Sequence, residues 1–108
     1  MKRAGFIFKI KKHYKDEYKE AHDNIWPELV KAINDCGIFN YSIFYDEYDG
    51  TLFNYLEVKG DFDEAMEKLG NLDIEVEWWK KMDKFFVKSD GSKLGPSVKM
   101  LEEVFHME

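Results

Sequence analysis

The dipeptide Asp49-Gly50, set between two runs of alternating residues, constrains the fold more than any other stretch. Phe39 to Asp46 carries Tyr41, Ile43 and Tyr45 on one face and Asn40, Ser42 and Phe44 on the other. Thr51 to Lys59 alternates likewise, with Phe53, Tyr55 and Glu57 opposed to Leu52, Asn54, Leu56 and Val58. A period of two is the signature of strands, and Asp-Gly between two such runs marks a hairpin, because glycine adopts the positive φ that tight hairpin turns need. An antiparallel hairpin therefore sits at the centre of the chain.

The flanks repeat one pattern on either side of it. Arg3 to Lys11 alternates Phe6, Phe8 and Ile10 against Gly5, Ile7 and Lys9, which predicts a first strand. A helical stretch follows from about Tyr14 to Asp35 and ends at Gly37, where a left-handed cap would sit. Pro27 lacks a donor and fits best in a first helical turn, so the helix is expected to kink or restart there. Beyond the hairpin, Asp61 and Glu64 form a capping pair before Phe62, Ala65, Met66 and Leu69, and Gly70-Asn71 ends that short helix. A second helical piece opens near Asp73, with Ile74, Trp78, Met82 and Phe85 on its stripe and Trp79 and Phe86 widening it. Lys88 to Pro96 reads as a loop, and Val98 to Met107 as a last strand in which Met100, Glu102, Val104 and His106 oppose Leu101, Glu103 and Phe105.

The order βαββαβ within one domain, residues 1–108, predicts an α+β, ferredoxin-like fold: a four-stranded antiparallel sheet with the helices on one face. Several strands carry apolar residues on both faces, so the uncovered face would expose an apolar patch. A twofold homodimer through the open sheet faces, a dimeric α/β-barrel type of assembly, is the expected remedy.

Charge and cysteine content narrow the partners. Sixteen basic against 22 acidic residues give a net charge of −6, and Arg3 is the only arginine, so the counterion release that drives phosphate-backbone binding is missing. No nucleic-acid partner is expected. Cys36, the single cysteine, suits a reducing compartment and rules out a metal site built from thiols. Lys9, Lys11 and Lys12 cut the apolar run at the start too short for a signal peptide, so a cytoplasmic protein with no membrane partner is expected. An aromatic content of 17% is high and needs a use, either in a binding site or between subunits.

The candidate chemistry lies between Asp16 and Leu29. Residues four apart on a helix are neighbours at about 5 to 6 Å, which places the Tyr18 phenol beside the His22 imidazole. A free imidazole titrates near pH ~6.5, so His22 could give or take a proton. Trp26 adds an aromatic wall. A lone histidine is more often a surface or packing residue, and Tyr18 and Trp26 could equally be core. His13 reads as surface, and His106 as a cross-strand packing residue. Adjacent helical residues point about 100° apart, so of Trp78 and Trp79 one is expected to pack and the other to line a pocket; periodicity favours Trp79 for the pocket. Tyr41 opens an apolar strand face, where burial alone would account for it.

Tyr18, the segment His22-x-x-Ile25-Trp26-Pro27-Glu28-Leu29, Gly37 with Asn40-Tyr41, the Trp78-Trp79 pair followed by Met82, and the terminal Leu101-x-Glu103-Val104-Phe105 resemble the L-rhamnose mutarotases. These residues span nearly the whole chain. Phe8, where a methionine would be expected, and Glu77, where a basic residue is common, depart from the pattern. The resemblance implies a cytoplasmic homodimer of ferredoxin-like fold, with no cofactor, that interconverts the α and β anomers of L-rhamnose. It further implies that His22 is the proton donor and that Tyr18, Tyr41, Trp78 and Trp79 bind the sugar. Mutarotation needs one acid and one base, each worth roughly 10² to 10⁴ in rate, and the base is left open: a second polar side chain, a water, or His22 after transfer. Two other classes share the fold: dimeric oxygenases or haem-handling proteins, and binding modules whose aromatics only pack a dimer.

Overall fold

The computed structural model describes residues 2–88 and 94–108. Strand β1 (Lys2–Ile10) leads through a short 3-10 turn, Lys12–Tyr14, into α1 (Lys15–Asp23) and α2 (Pro27–Asp35). The hairpin β2 (Ile38–Asp46) and β3 (Thr51–Val58) follows, then α3 (Phe62–Gly70), α4 (Asp73–Met82), a 3-10 turn Asp83–Phe85, β4 (Phe86–Val87) and β5 (Lys99–Leu101). The sheet order is β2-β3-β1-β4 with every neighbour antiparallel, and β5 pairs with β1 beside β4. The ferredoxin-like topology predicted from the pattern is present.

The helical stretch after β1 restarts rather than bends. Trp26, ahead of proline, is extended (φ −62°, ψ 127°), and Pro27 takes the first position of α2, where its missing N–H leaves no bond unmade. Gly37 closes α2 at φ +87°, its N–H donating to the Asn34 carbonyl at 2.9 Å. Asp61 caps α3, accepting from the Glu64 N–H at 2.9 Å. The hairpin turn is four residues long, 47–50. Gly50 sits at φ +81°, and a Cβ there would lie 2.4 Å from the Ile10 carbonyl oxygen. Asp49 steadies the turn by accepting from the Thr51 N–H and hydroxyl at 3.0 and 2.6 Å.

Two features of the sheet depart from simple alternation. Phe39 pairs with Glu57 but Ser42 with Tyr55, so β2 has one residue more than β3 over this stretch, a bulge. Asn40 takes the left-handed conformation at φ 50°, which asparagine tolerates better than most residues, and its amide donates to Glu57 at 2.7 Å. The bulge lets both Ile38 and the later set Tyr41, Ile43 and Tyr45 lie on the helix side. The last strand is also far shorter than Val98 to Met107. β4 sets Val87 opposite Lys9 and β5 sets Lys99 opposite Ile7, and of the described residues between them Lys88 and residues 94–98 lie outside the ladder. Part of the expected loop, residues 89–93, lies outside the described residues. After Leu101 the chain is exposed, and an Arg3–Glu103 ion pair at 2.8 Å continues the register. His106 is therefore exposed and not a cross-strand packing residue.

The core lies between sheet and helices. Phe6, Phe8 and Ile10 of β1, Leu52, Leu56 and Val58 of β3, and Ile38 of β2 meet Tyr18, Leu29, Ala65, Leu69, Trp78 and Met82. Full burial of each such side chain is worth about 1.5 to 3 kcal/mol, and that stabilisation holds four short helices on one face. The other face carries Ile7, Phe53 and Phe44 in one cross-strand row and Gly5, Tyr55 and Ser42 in the next. Phe44 is 65% exposed and Phe53 43%. No helix among the described residues is long and apolar enough to cross a membrane.

Candidate functional site

Between the helix layer and the curled sheet lies a cavity of about 990 Å³. Phe6, Phe8, Tyr41 and Ile43 line its sheet side, Tyr18, His22, Glu75, Trp78 and Trp79 its helix side, and Pro96, Val98 and Met100 one rim. All five residues singled out in the sequence thus reach one pocket. Predominantly apolar and aromatic walls with a few converging polar groups are what small-molecule sites are made of.

His22 is half-buried on the last turn of α1. Its Nδ1–H donates to the Tyr18 carbonyl at 2.9 Å, so in the neutral ring Nε2 carries the free lone pair. The imidazole lies on the Tyr18 ring, with centroids 4.4 Å apart and planes tilted by 35°, and the edge of Trp78 meets it at 5.4 Å. Burial lowers the affinity of the ring for a proton, partly offset by the Tyr18 carbonyl and the Asp23 charge. The group is therefore mostly neutral at pH 7.

The aromatic residues divide their work differently from the sequence expectation. Trp78 is buried yet also forms cavity wall, wedged between His22 and Trp26, whose ring centre is 5.3 Å away. Lys81 covers both indoles from outside, 5.6 and 5.7 Å from their centres. Trp79 is half-buried against Phe86 at 5.6 Å, and a Cβ added at Gly95 would meet its ring at 3.7 Å. Asp83 holds that segment in place by accepting from the Gly95 N–H at 2.9 Å. Tyr18 is buried, and burial holds its phenolic proton more tightly than usual. Tyr41 leaves part of its ring exposed while its hydroxyl donates to Asn54 Oδ1 at 3.2 Å. Burial first, and the Glu75 charge second, raise the pKa of that hydroxyl. His13 is exposed, as its surroundings in the sequence suggested.

Glu75 is the residue that sequence reasoning passed over. It is 7% exposed, burial pushes its carboxyl up to about 7, and a hydrogen bond from Trp79 offsets part of that rise. Its signal was spacing: a carboxylate three residues before Trp78 and four before Trp79 must share their helix face. Among the described residues no group of three or more His, Cys, Asp or Glu is placed to hold a metal ion.

Fold and site together define a small ferredoxin-like α+β protein with an aromatic-walled pocket that holds one imidazole. Comparison with known proteins narrows the class. The family model for L-rhamnose mutarotase matches residues 3–107. An L-rhamnose mutarotase of Oceanobacillus iheyensis is 39% identical over 108 residues, covering all of both chains, and one of Formosa agariphila is 42% identical over 109 residues, again covering all of both. The crystal structure of the mutarotase FA22100 from Formosa agariphila superposes with a TM-score of 0.83 at 41% identity, covering all of both chains. A dimeric ferredoxin-like protein from an uncultured marine organism, 15% identical, shares the fold with a TM-score of 0.60 over 98% of this chain and 94% of its own. The chain belongs to the L-rhamnose mutarotase family.

Proposed function

We propose that the chain interconverts the α and β anomers of L-rhamnose, with His22 as the proton-transfer group and Tyr18, Tyr41, Trp78 and Trp79 holding the sugar. Beyond family membership, one observation carries the reading: His22 is half-buried in the cavity with Nδ1 tied to a carbonyl, which leaves Nε2 for exchange. In ring opening, a proton is delivered to the ring oxygen as the C1–ring-oxygen bond breaks. The anomeric hydroxyl loses its proton, and C1 becomes a carbonyl. Closure on the opposite carbonyl face reverses these transfers and gives the other anomer. The chemistry needs an acid and a base, and no cofactor enters the reading. Indole faces suit the C–H face of a pyranose, and phenols suit its hydroxyl rim.

The reading includes a homodimer, supported by the exposed Phe44 and Phe53 on the open sheet face and by the dimeric relative of the same fold. It includes a cytoplasmic location, for which a single cysteine is the supporting feature. Polarimetry on a freshly dissolved single anomer of L-rhamnose tests the activity. The rotation should relax to equilibrium faster in proportion to added protein, and relaxation at the buffer rate would overturn the proposal.

A further inference from the structure

Glu75 is the single charged side chain among the described residues that is buried. It stands in the wall of the cavity that holds His22, one helical turn before the two tryptophans. The Trp79 indole donates a hydrogen bond to its carboxyl, its charge raises the pKa of the Tyr41 phenol, and the His22 ring lies on Tyr18 in the same cavity. Carboxyl and imidazole thus line the helix side of one cavity, facing the Tyr41 phenol on its sheet side. Among the described residues no ion pair includes Glu75. Burying a carboxylate without a cation is costly, and a leucine or methionine on this stripe would pack at no such cost. A position that keeps the carboxyl at that disadvantage calls for a use.

We propose that Glu75 is the second proton-transfer group of the pocket, acting opposite His22 so that the two hold one proton between them. The inference rests on the mutarotase reading above. In ring opening, one member of the pair takes the proton of the anomeric hydroxyl. The O–H electrons form the carbonyl, those of the C1–ring-oxygen bond pass to the ring oxygen, and the other member delivers its proton there. The pair begins and ends with one proton whose holder has changed, and closure on the other carbonyl face returns it. Nothing else is consumed.

The two tautomers, imidazolium with carboxylate and imidazole with carboxylic acid, hold the same number of protons, so one pH profile describes both. Burial moves the two groups in the directions this pairing needs: the imidazole down, the carboxyl up to about 7. The other titratable groups lining the cavity are Tyr18, Lys15, Lys19 and Asp23 from α1 and Tyr41 and Tyr45 from β2. Lys19 is paired with Asp23 at 2.8 Å. Burial holds the phenolic protons of Tyr18 and Tyr41 more tightly than usual, so neither is lost in the range concerned.

The test is kcat and kcat/KM for anomeric exchange of L-rhamnose from about pH 5 to about pH 9, in the native protein, Glu75→Gln and Glu75→Asp. Sugar-induced quenching of tryptophan fluorescence reports binding, and near-ultraviolet circular dichroism reports the fold. Glu75→Gln should lower kcat by about 10²-fold or more with quenching retained, and should lose the alkaline limb while the acid limb set by His22 remains. Glu75→Asp should keep both limbs at a reduced rate. A Glu75→Gln protein with native kcat and both limbs would overturn the pairing. Should that variant fail to fold, a native kcat/KM that does not fall on the alkaline side of neutrality overturns it instead. A native protein that leaves the sugar exchanging at the buffer rate at every pH is a different failure, that of the mutarotase reading itself.

Discussion

The Nδ1–H of His22 donates to the main-chain carbonyl of Tyr18 at 2.9 Å, one turn back in the same helix, while the two rings lie 4.4 Å apart. A carbonyl can only accept, so a single helical turn sets both the tautomer and the orientation of the imidazole. Trp78, reaching across from α4, closes the third side. The group proposed to move the proton is thereby held before any sugar arrives, and such pre-organisation is a large part of what general acid–base catalysis requires.

Stability should depend on Glu75 with a definite sign. Its folded pKa is raised to about 7 from 4.5, so between those values the folded chain binds more protons than the unfolded one. Stability from this group therefore falls as the pH rises through that window, and the full loss, on the order of 3 kcal/mol, is present above it. In urea melts, Glu75→Gln should be more stable than the native protein near pH ~8 and should have no such advantage near pH ~4. Parallel stability curves for the two proteins would contradict the burial argument.

Gly50→Ala combines two penalties. The residue sits at φ +81°, and the new Cβ would press on the Ile10 carbonyl at 2.4 Å, in the strand whose N–H bonds the Gly50 carbonyl at 3.0 Å. A loss of about 2 kcal/mol or more is expected in thermal melts. Gly50 does not line the cavity, so kcat of the folded fraction should stay native.

The bulge predicts a split between two substitutions at Asn40. Asn40→Gly should be nearly neutral, because glycine accepts φ 50°, though it forfeits the bond to Glu57. Asn40→Val should cost about 1 to 2 kcal/mol and raise KM for the sugar, because the bulge decides on which face Tyr41 emerges. Equal KM values for both variants would show that Tyr41 holds its place without the bulge.

Much of this arrangement was legible in the sequence, and the exceptions have physical causes. Phe6, Phe8 and Ile10 and the set Leu52 to Val58 alternate cleanly because each strand has one buried and one open face. Pro27 and Gly37 located the restart and the end of α2 because each has a backbone requirement of its own. The bulge at Asn40 was not legible, since alternation continues after it and only the pairing with β3 reveals the extra residue. The terminal strand was overread: Val98 to Met107 alternates, but only Lys99 to Leu101 pair with β1, opposite Gly5 to Ile7, and alternation alone does not show where a ladder stops. At the site, the spacing of Tyr18 and His22 was sufficient. Trp78 and Trp79 both reach the cavity because it spans more than one face of α4, and Glu75 was overlooked because a charged residue next to Glu77 reads as solvated until α4 is packed.

The open sheet face gives the prediction on assembly. Phe53 lies directly opposite Ile7 on one side and Phe44 on the other, in the middle of that face. Phe53→Lys would put a charge at the centre of the proposed interface, and light scattering after size exclusion should show a monomer where the native protein is a dimer. A variant that remains dimeric would place the interface elsewhere.

The central claim, that His22 drives anomeric interconversion, is tested most directly by NMR saturation transfer on L-rhamnose at equilibrium. Saturating the α anomeric proton should diminish the β signal when native protein is present. His22→Ala should lower the exchange rate by about 10²- to 10⁴-fold, towards the buffer rate, with its fold intact by circular dichroism. Full transfer by His22→Ala would contradict the account.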